Sequence, residues 1–467
     1  MIGDAITLIT PQPLEKKDIS LYDYDGTLLY SYSLAEIQEL EELPSPSTHE
    51  GLTFLRWNWD LSDLKTENTP MIVGANYHTT DGHTRIFVNL DSAALHIGVQ
   101  LMVNGEMMVD WGDGASETKS ANNVTTYYEH QYAAPGEKCI TLIVTSGKVG
   151  GAYPPAPMLY DADKPSQKTN PRINRLVTKF WSGDEQIQEN AWYMFDYCGM
   201  TEIALGSLGW GGNIGQYLGN YNLQFLAVPY GCNQHLRMEN CYGIKHISLP
   251  NGGTSLRSYM LYFARSREDI TIPSRITTTN GATFKGGSSL RSVTMGNAVA
   301  TIDTESFMDC LNLESVAFSS GLTQIGPRAF ANCAKLKHAL LYSGVSTLGQ
   351  SAFQQCESLQ DINLPSGVTS IGVYALNGCS SLTQIAIPSS VTFIGERAFG
   401  ECNGMLLYDF TTWTIASLDG CTFSANIFYG ITSNTEIRFA TKTIRDHAAA
   451  ITNLTSYSAY MTYVEDI

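Results

Sequence analysis

From residue 171 to residue 420 the apolar positions recur with one step. Leu359-Gln-Asp-Ile362-Asn-Leu364-Pro365 alternates apolar and polar residues, the pattern of a short strand buried on one side. Pro365 ends it, because proline has no N–H to donate to a continuing ladder. Around Cys310, Cys333, Cys356, Cys379 and Cys402, which stand 23 residues apart, other positions keep the same step. Ile302, Ile325, Leu348, Ile371 and Ile394 lie eight before the cysteines. Phe307, Phe330, Phe353, Leu376 and Phe399 lie three before, and Leu313, Leu336, Leu359, Leu382 and Met405 three after. Upstream, looser copies begin at Met200, Leu223, Ile244, Ile270 and Leu290. A fixed period of this size predicts a solenoid, here of about ten coils of ~23 residues.

One coil cannot bury its own apolar side, so stacking is obligatory and the repeated Ile, Leu, Phe and Cys positions form one core. At a strand spacing of about 4.8 Å the coils make a rod or arc roughly 45 Å long. The regular spacing is neither a disulfide framework nor a zinc pattern, both of which use short clustered spacings. Each repeated cysteine therefore reads as a small buried hydrophobe above its neighbour.

The unit Leu-x-x-Ile-x-Ile-Pro-x-x-Val-x-x-Ile-Gly-x-x-Ala-Phe-x-x-Cys resembles the BspA-type leucine-rich repeat of bacterial surface proteins, most closely from Val299 to Met405. The tail from Glu436 to Ile467, with Ile437-Arg-Phe439 and then Thr443 to Ala450, looks like the closing strand and helix of such an array. A terminal coil has an open apolar side that a cap of different sequence covers.

Residues 85 to 146 read as hairpins. Asn104-Gly105 fits a two-residue turn between Gln100–Val103 and Glu106–Trp111, and Cys139–Val144 is a further strand. Trp111-Gly-Asp-Gly114 and His130-Gln-Tyr132-Ala-Ala-Pro-Gly136 resemble elements of a PKD-type immunoglobulin-like domain. Gly-Asp-Gly serves a tight turn, with calcium at Asp110 and Asp113 the alternative. Pro154-Pro-Ala-Pro157 and Asp161-Ala-Asp-Lys-Pro165 have linker composition.

The expected fold class is mainly β. It places a small α+β module at 1–66, a PKD-like β-sandwich at 67–148, a linker at 149–170, a leucine-rich-repeat solenoid at 171–435 and a capping strand and helix at 436–467.

One motif raises chemistry. Asp23-Tyr-Asp25-Gly-Thr27 spells the string with which haloacid-dehalogenase-type phosphatases attack phosphate, its first Asp the nucleophile and its second the proton donor. The parallel strands that such an enzyme needs for its Lys and magnesium carboxylates have no place in a sandwich followed by a solenoid. The string reads as a turn between two strands, and a phosphatase is a minor alternative. Leu34 to Leu43 reads as a short amphipathic helix and Gly51 to Trp59 as a strand. His78 and His83 flank another expected hairpin turn, Thr79-Thr-Asp-Gly82. No phosphate-binding loop or nucleophile elbow occurs. The expectation is therefore no enzyme, no catalytic residue, no metal and no cofactor.

Charged residues are 16% of the chain against roughly 25% in an ordinary soluble protein, and Gly 41 and Tyr 25 fit a strand- and turn-rich chain. A net charge of −17 without any basic run argues against nucleic acid and against an anionic membrane surface. No apolar run of about 18 residues could span a bilayer as a transmembrane segment. The N-terminus lacks the basic region and apolar core of a signal peptide, so the expected extracellular or cell-surface location leaves the export route open. The outward positions of the repeat strands, Ala204, Ala227, Ser248, Thr271, Thr294, Ala317, Leu340, Asn363 and Ala386, form a nearly uncharged surface. Early coils add Trp210, Tyr217, Tyr221, Tyr230, Tyr259 and Tyr262, the candidate binding residues, since aromatics are common at recognition surfaces. The expected function is non-enzymatic binding or adhesion to a protein or glycan partner. A phage-borne structural or host-recognition component, suggested by a resemblance of the N-terminal module to prophage-encoded relatives, is the alternative.

Overall fold

The computed structural model describes residues 18–67, 69–150, 158–164, 174–183, 199–205, 222–228, 243–249, 253–256, 258–263 and 268–464. The N-terminal module is a four-stranded sheet in the order β2-β1-β4-β3, built from β1 (Ile19–Tyr22), β2 (Leu28–Tyr32), β3 (Leu52–Trp57) and β4 (Met71–Thr79). β1 and β2 form an antiparallel hairpin, while β1 runs parallel to β4 and β3 antiparallel to it. Between β2 and β3 lies α1 (Leu34–Glu39). It starts where the sequence allows: Ser33 Oγ accepts the Glu36 N–H, and the Glu36 carboxylate accepts the Ser33 N–H, two otherwise orphaned donors satisfied reciprocally. Ile37 turns inward to join Ile19, Leu21, Trp59, Val73 and Tyr77 in the module's core.

Three expectations for the next region are corrected. The boundary at 66/67 is crossed, because β4 belongs to the N-terminal sheet. Thr79–Gly82 is no hairpin turn: β5 (Thr84–Leu90) leaves β4 for a second sheet. Instead of two separately bonded layers, that second sheet is one network of seven strands. Its order is β11-β10-β5-β8-β6-β7, with β9 also on β6. The members are β6 (His96–Asp110), β7 (Ser116–Gln131), β8 (Gly136–Gly150), β9 (Leu159–Asp161), β10 (Val177–Trp181) and β11 (Glu202–Ala204). β9 thus lies inside the expected linker. β10 pairs antiparallel with β5 and parallel with β11, which hydrogen-bonds the sheet directly to the start of the solenoid.

Asn104-Gly105 does not reverse the chain. β6 runs through it and is irregular there, with register shifts against both β7 and β8. Across from it stands Gly147, and both glycines have positive φ, 129° and 73°. A Cβ on Gly147 would lie 1.9 Å from the Asn104 carbonyl oxygen, and one on Gly105 2.1 Å from that of Ser146. The pair allows two backbones to approach where no side chain fits. The β6–β7 reversal comes instead at Trp111-Gly-Asp-Gly114. There Asp110 Oδ1 accepts the Gly112 N–H at 2.9 Å and Asp113 Oδ1 the Ala115 N–H at 3.2 Å. Asp113 Oδ2 meets His130 Nε2 at 2.8 Å, Trp111 stacks on the His130 ring at 5.2 Å, and Tyr132 donates to the Trp111 carbonyl.

The repeats form the solenoid that their period predicts, of about ten turns. Each coil contributes to a first strand row, a second strand row and a turn. In the first row Asp269–Ile272 pairs parallel with Ser292–Met295, and that with Ser315–Ala317, in steps of 23 residues. The second row is an eight-stranded parallel sheet from Ser255–Leu256 to Thr422–Phe423. On the turn side the N–H groups of Phe307, Phe330 and Phe353 each reach 2.8 Å to a carbonyl of the next coil. Two left-handed residues per coil, such as Glu305 and Asp309 or Arg328 and Asn332, aim alternate amides along the stack.

The core columns are dry. Phe284, Phe307, Phe330 and Phe353 stack with successive centroids 4.9, 5.2 and 5.3 Å apart. All five repeat cysteines are buried, and each thiol donates 3.2–3.3 Å to a carbonyl in the preceding coil, from Phe284 for Cys310 to Leu376 for Cys402. Beyond the last repeat the first row goes on. Glu436–Phe439 continues the first row beyond Leu407–Phe410, and Met461–Tyr463 closes it. With α2 (Leu61–Leu64) in the N-terminal module, the cap's helices are α3 (Ile415–Asp419) and α4 (Lys442–Ala450). α3 lengthens the last step to 29 residues, and His447 ties α4 to it through Asp419 at 2.7 Å.

Two outcomes follow from this packing. Gly147→Ala is expected to cost about 2 kcal/mol or more, since positive φ and backbone contact both oppose a Cβ. Native-state hydrogen exchange should register the loss in β6 and β8, and unchanged protection there would refute it. Burial pushes Cys310, Cys356 and Cys402 up to about 12, and raises Cys333 and Cys379 well above the ordinary thiol value. At pH 8 these thiols stay protonated and should resist iodoacetamide until the chain unfolds, as residue-resolved mass spectrometry can read. Above the ordinary thiol value of 9.0 the unfolded chain ionises them while the folded one does not, so stability should fall with further alkalinity.

Candidate binding surface

The outward residues of the first strand row divide into a covered and an open part. Ala204, Ala227 and Ser248, expected on the surface, are buried because the N-terminal module sits on them. Gly74 of β4 comes so close that a Cβ there would stand 2.4 Å from the Ala227 Cβ. Asn58, fully buried, donates from Nδ2 to the Val228 carbonyl at 2.9 Å and to Ser248 Oγ at 2.7 Å, while its Oδ1 accepts the Gly74 N–H. Trp59 Nε1 donates to the Leu249 carbonyl at 3.0 Å. Tyr22 stacks on Phe225 with centroids 5.5 Å apart. Further along, Glu67 accepts the Ser274 N–H, and Asp63 pairs with Arg275. Thr271 and Thr294 are half-buried, and Ala317, Leu340, Asn363 and Ala386 are open to solvent.

Within the open part the ladder breaks. Strands from Asp269–Ile272 to Asp361–Ile362 make one five-stranded sheet, and Gln384–Ala386 begins a separate four-stranded one. Beside the break the Asn363 side chain takes both backbone groups of Leu341, accepting its N–H at 2.5 Å and donating to its carbonyl at 2.7 Å. A primary amide carries the same donor and acceptor as a peptide unit and stands in for one. The break opens a groove of about 510 Å³, lined by His338, Leu340, Asp361 to Leu364, Gln384 to Ala386, Leu407 and Asp409. Among the described residues Leu340, part of its lining, is the most exposed large apolar side chain, at 63%.

Charges near the groove are mostly compensated. His338 Nδ1 meets Asp361 Oδ2 at 2.9 Å. The Lys337 ammonium holds the Glu314 carboxyl below its ordinary value, and the Arg438 guanidinium, bonded twice, does so for Glu436. Asp409 has no ion-pair partner among the described residues, and its Oδ1 accepts the Thr411 N–H.

Trp210, Tyr217, Tyr221 and Tyr230 fall outside the described residues. Tyr259 and Tyr262 meet edge to face at 5.4 Å, on the turn side and not on the strand row. The groove residues were visible one by one in the outward column, where Leu340 and Asn363 interrupt small or short polar residues. The broken ladder that joins them was not.

The Asp23–Thr27 string is the β1–β2 turn. Asp23 is buried, with Oδ1 accepting the Tyr24 N–H at 2.9 Å and Oδ2 meeting His49 Nε2 at 2.8 Å, while Asp25 Oδ1 closes the turn on the Thr27 N–H. Tyr24 and Tyr77 pack edge-on against His49, and burial raises both phenols well above their ordinary range. A carboxylate so enclosed and so bonded has no free face for in-line attack on phosphorus. Among the described residues no three His, Cys, Asp or Glu side chains gather to hold a metal ion.

Comparison with known proteins agrees with the repeat. The family model described as "BspA type Leucine rich repeat region (6 copies)" matches residues 237–337, 300–430 and 346–464. No curated protein matches the chain. Among solved structures, a leucine-rich repeat protein of T. pallidum is 26% identical over 30% of this chain and 69% of its own, with a TM-score of 0.30. The pneumococcal vaccine antigen PcpA is 14% identical over 62% of this chain and 66% of its own, at 0.35. A leucine rich cell surface protein of Faecalibacterium prausnitzii is 19% identical over 65% and 89%, at 0.34. The PKD-type resemblance and the phage-borne role find no counterpart in these matches. Over residues 237–464 the chain matches the BspA-type leucine-rich repeat family.

Proposed function

We propose that this chain is a non-enzymatic, cell-surface or extracellular binding protein that engages a protein or glycan partner on the open part of its first strand row. One observation carries the reading: from Ala317 to Asp409 the row is uncovered and grooved, with Leu340 exposed at the groove, while the same row in the first coils is sealed by the chain's own module. A rigid strip with an apolar centre and a polar border has the anatomy of a recognition surface. The repeat family supports a binding role. Among the described residues no helix is long and apolar enough to cross a membrane.

The test is a protein and glycan array probed with the full chain, because β10 pairs with β5 and a fragment starting at 171 would strip the first coils of both neighbours. Leu340→Arg is expected to weaken the captured partner about tenfold or more, equivalent to roughly 1.4 kcal/mol. Leu311→Arg, an equally polar change on an exposed leucine of the turn side, should leave it unchanged. Equal loss in both variants would sink the assignment to the strand row. With magnesium present, p-nitrophenyl phosphate should hydrolyse no faster with the protein than without it; turnover abolished by Asp23→Asn would restore the phosphatase reading.

A further inference from the structure

The occupied end of the strand row shows how this surface is read. Asn58 and Trp59 of the module come as donors, and the solenoid answers with the carbonyls of Val228 and Leu249 and with Ser248 Oγ. Contacts of the opposite sense are the Ser248 hydroxyl donating to the Ile72 carbonyl at 2.6 Å on the strand and, on the turn beyond it, Glu67 to the Ser274 N–H and Asp63 to Arg275. The open groove carries two carboxylates, Asp361 and Asp409. No Lys or Arg lines it, and the nearby Arg438 is committed to Glu436 through bonds of 2.9 and 2.8 Å. Asp361 offers Oδ2 to His338 and Asp409 offers Oδ1 to the Thr411 N–H, and within the described chain the second oxygen of each accepts nothing. Beneath them Ile362 and Ile385 are buried, an aliphatic floor with no aromatic platform on which a sugar ring could stack.

We infer that the groove takes lysine or arginine side chains of a partner polypeptide, received by Asp361 and Asp409, with apolar neighbours of those side chains lying on Leu340 and Leu407. This rests on the reading of the strand row as a binding surface and names the chemistry of what binds there. A charge-assisted bond to a carboxylate is shorter and stronger than a neutral one, and it gains further beside apolar walls where water is thinned. The chain's net charge of −17 brings cationic segments towards it and turns polyanions away.

The probe is a fluorescein-labelled peptide of alternating leucine and lysine, titrated against the full chain by fluorescence anisotropy beside its leucine–glutamate counterpart. Asp361→Asn with Asp409→Asn should weaken the lysine peptide about tenfold or more. Glu396→Gln with Asp446→Asn removes the same charge from exposed positions elsewhere and should change affinity less than about twofold. The glutamate peptide should not bind. Equal weakening by the two double variants would mean general attraction to an acidic chain and would overturn the inference, as would full affinity in the groove variant or no binding to the unaltered chain. The array separates the two readings: a partner lost with Leu340→Arg but held unchanged by the groove variant, or a captured glycan, keeps the binding surface and removes the cation. Matched thermal melts of the variants keep misfolding out of the comparison.

Discussion

The structure depends on stacking in register. A coil of ~23 residues folds only because the coil beneath it offers a matching apolar column and a row of unsatisfied carbonyls. Phenylalanine rings 4.9 to 5.3 Å apart set the same rise as the strands, and each thiol reaches back to a carbonyl of the coil before. A step of one residue would turn the apolar set outward, so the period is enforced at every coil. Leu376 shows the tolerance: it replaces Phe in its column and stays fully buried, and its carbonyl still receives the Cys402 thiol.

An array of this kind has two open ends, and the chain closes them differently. At the C-terminal end the rows simply continue into Glu436–Phe439 and Met461–Tyr463, with α3 and α4 packed beside them. At the start, β10 hydrogen-bonds the first coil to the seven-stranded sheet, and the N-terminal module lies across the strand row. That second contact uses small residues, Ala204, Ala227, Ser248 and Gly74, to bring backbones together, and a single buried amide, Asn58, to satisfy the strand ends. A buried amide left unpaired costs about 1–3 kcal/mol, so the contact favours one seating over its neighbours.

Function follows from what that seating leaves uncovered. Among the described residues the later coils present the first row to solvent, and the break between Asp361–Ile362 and Gln384–Ala386 falls among them. The motif that most resembled chemistry, Asp23-x-Asp25-Gly-Thr27, is absorbed by a turn whose carboxylates are spent on Tyr24, His49 and Thr27. The same residue types that read as catalytic in a string are turn-formers when a hairpin encloses them.

The sequence by itself determined the solenoid, its period, its cysteine column and its closing strand, because a repeated pattern imposes the same local solution on every coil and each coil needs only its neighbour. The Ser33–Glu36 cap of α1 is likewise local, a contact three residues long. What the tertiary structure alone decided involves partners far apart in the chain. Asn104-Gly105 spells a hairpin, yet the strand runs on through it, paired on both sides, with Gly147 across the sheet. The outward alanines spell a surface, yet a strand more than a hundred residues earlier buries them. Leu340, Asn363 and Asp409 become one groove because two sheets separate between coils that look alike in sequence. Local periodicity carries no record of such distant approaches, since they are fixed by which backbones can come close and not by the pattern along either one.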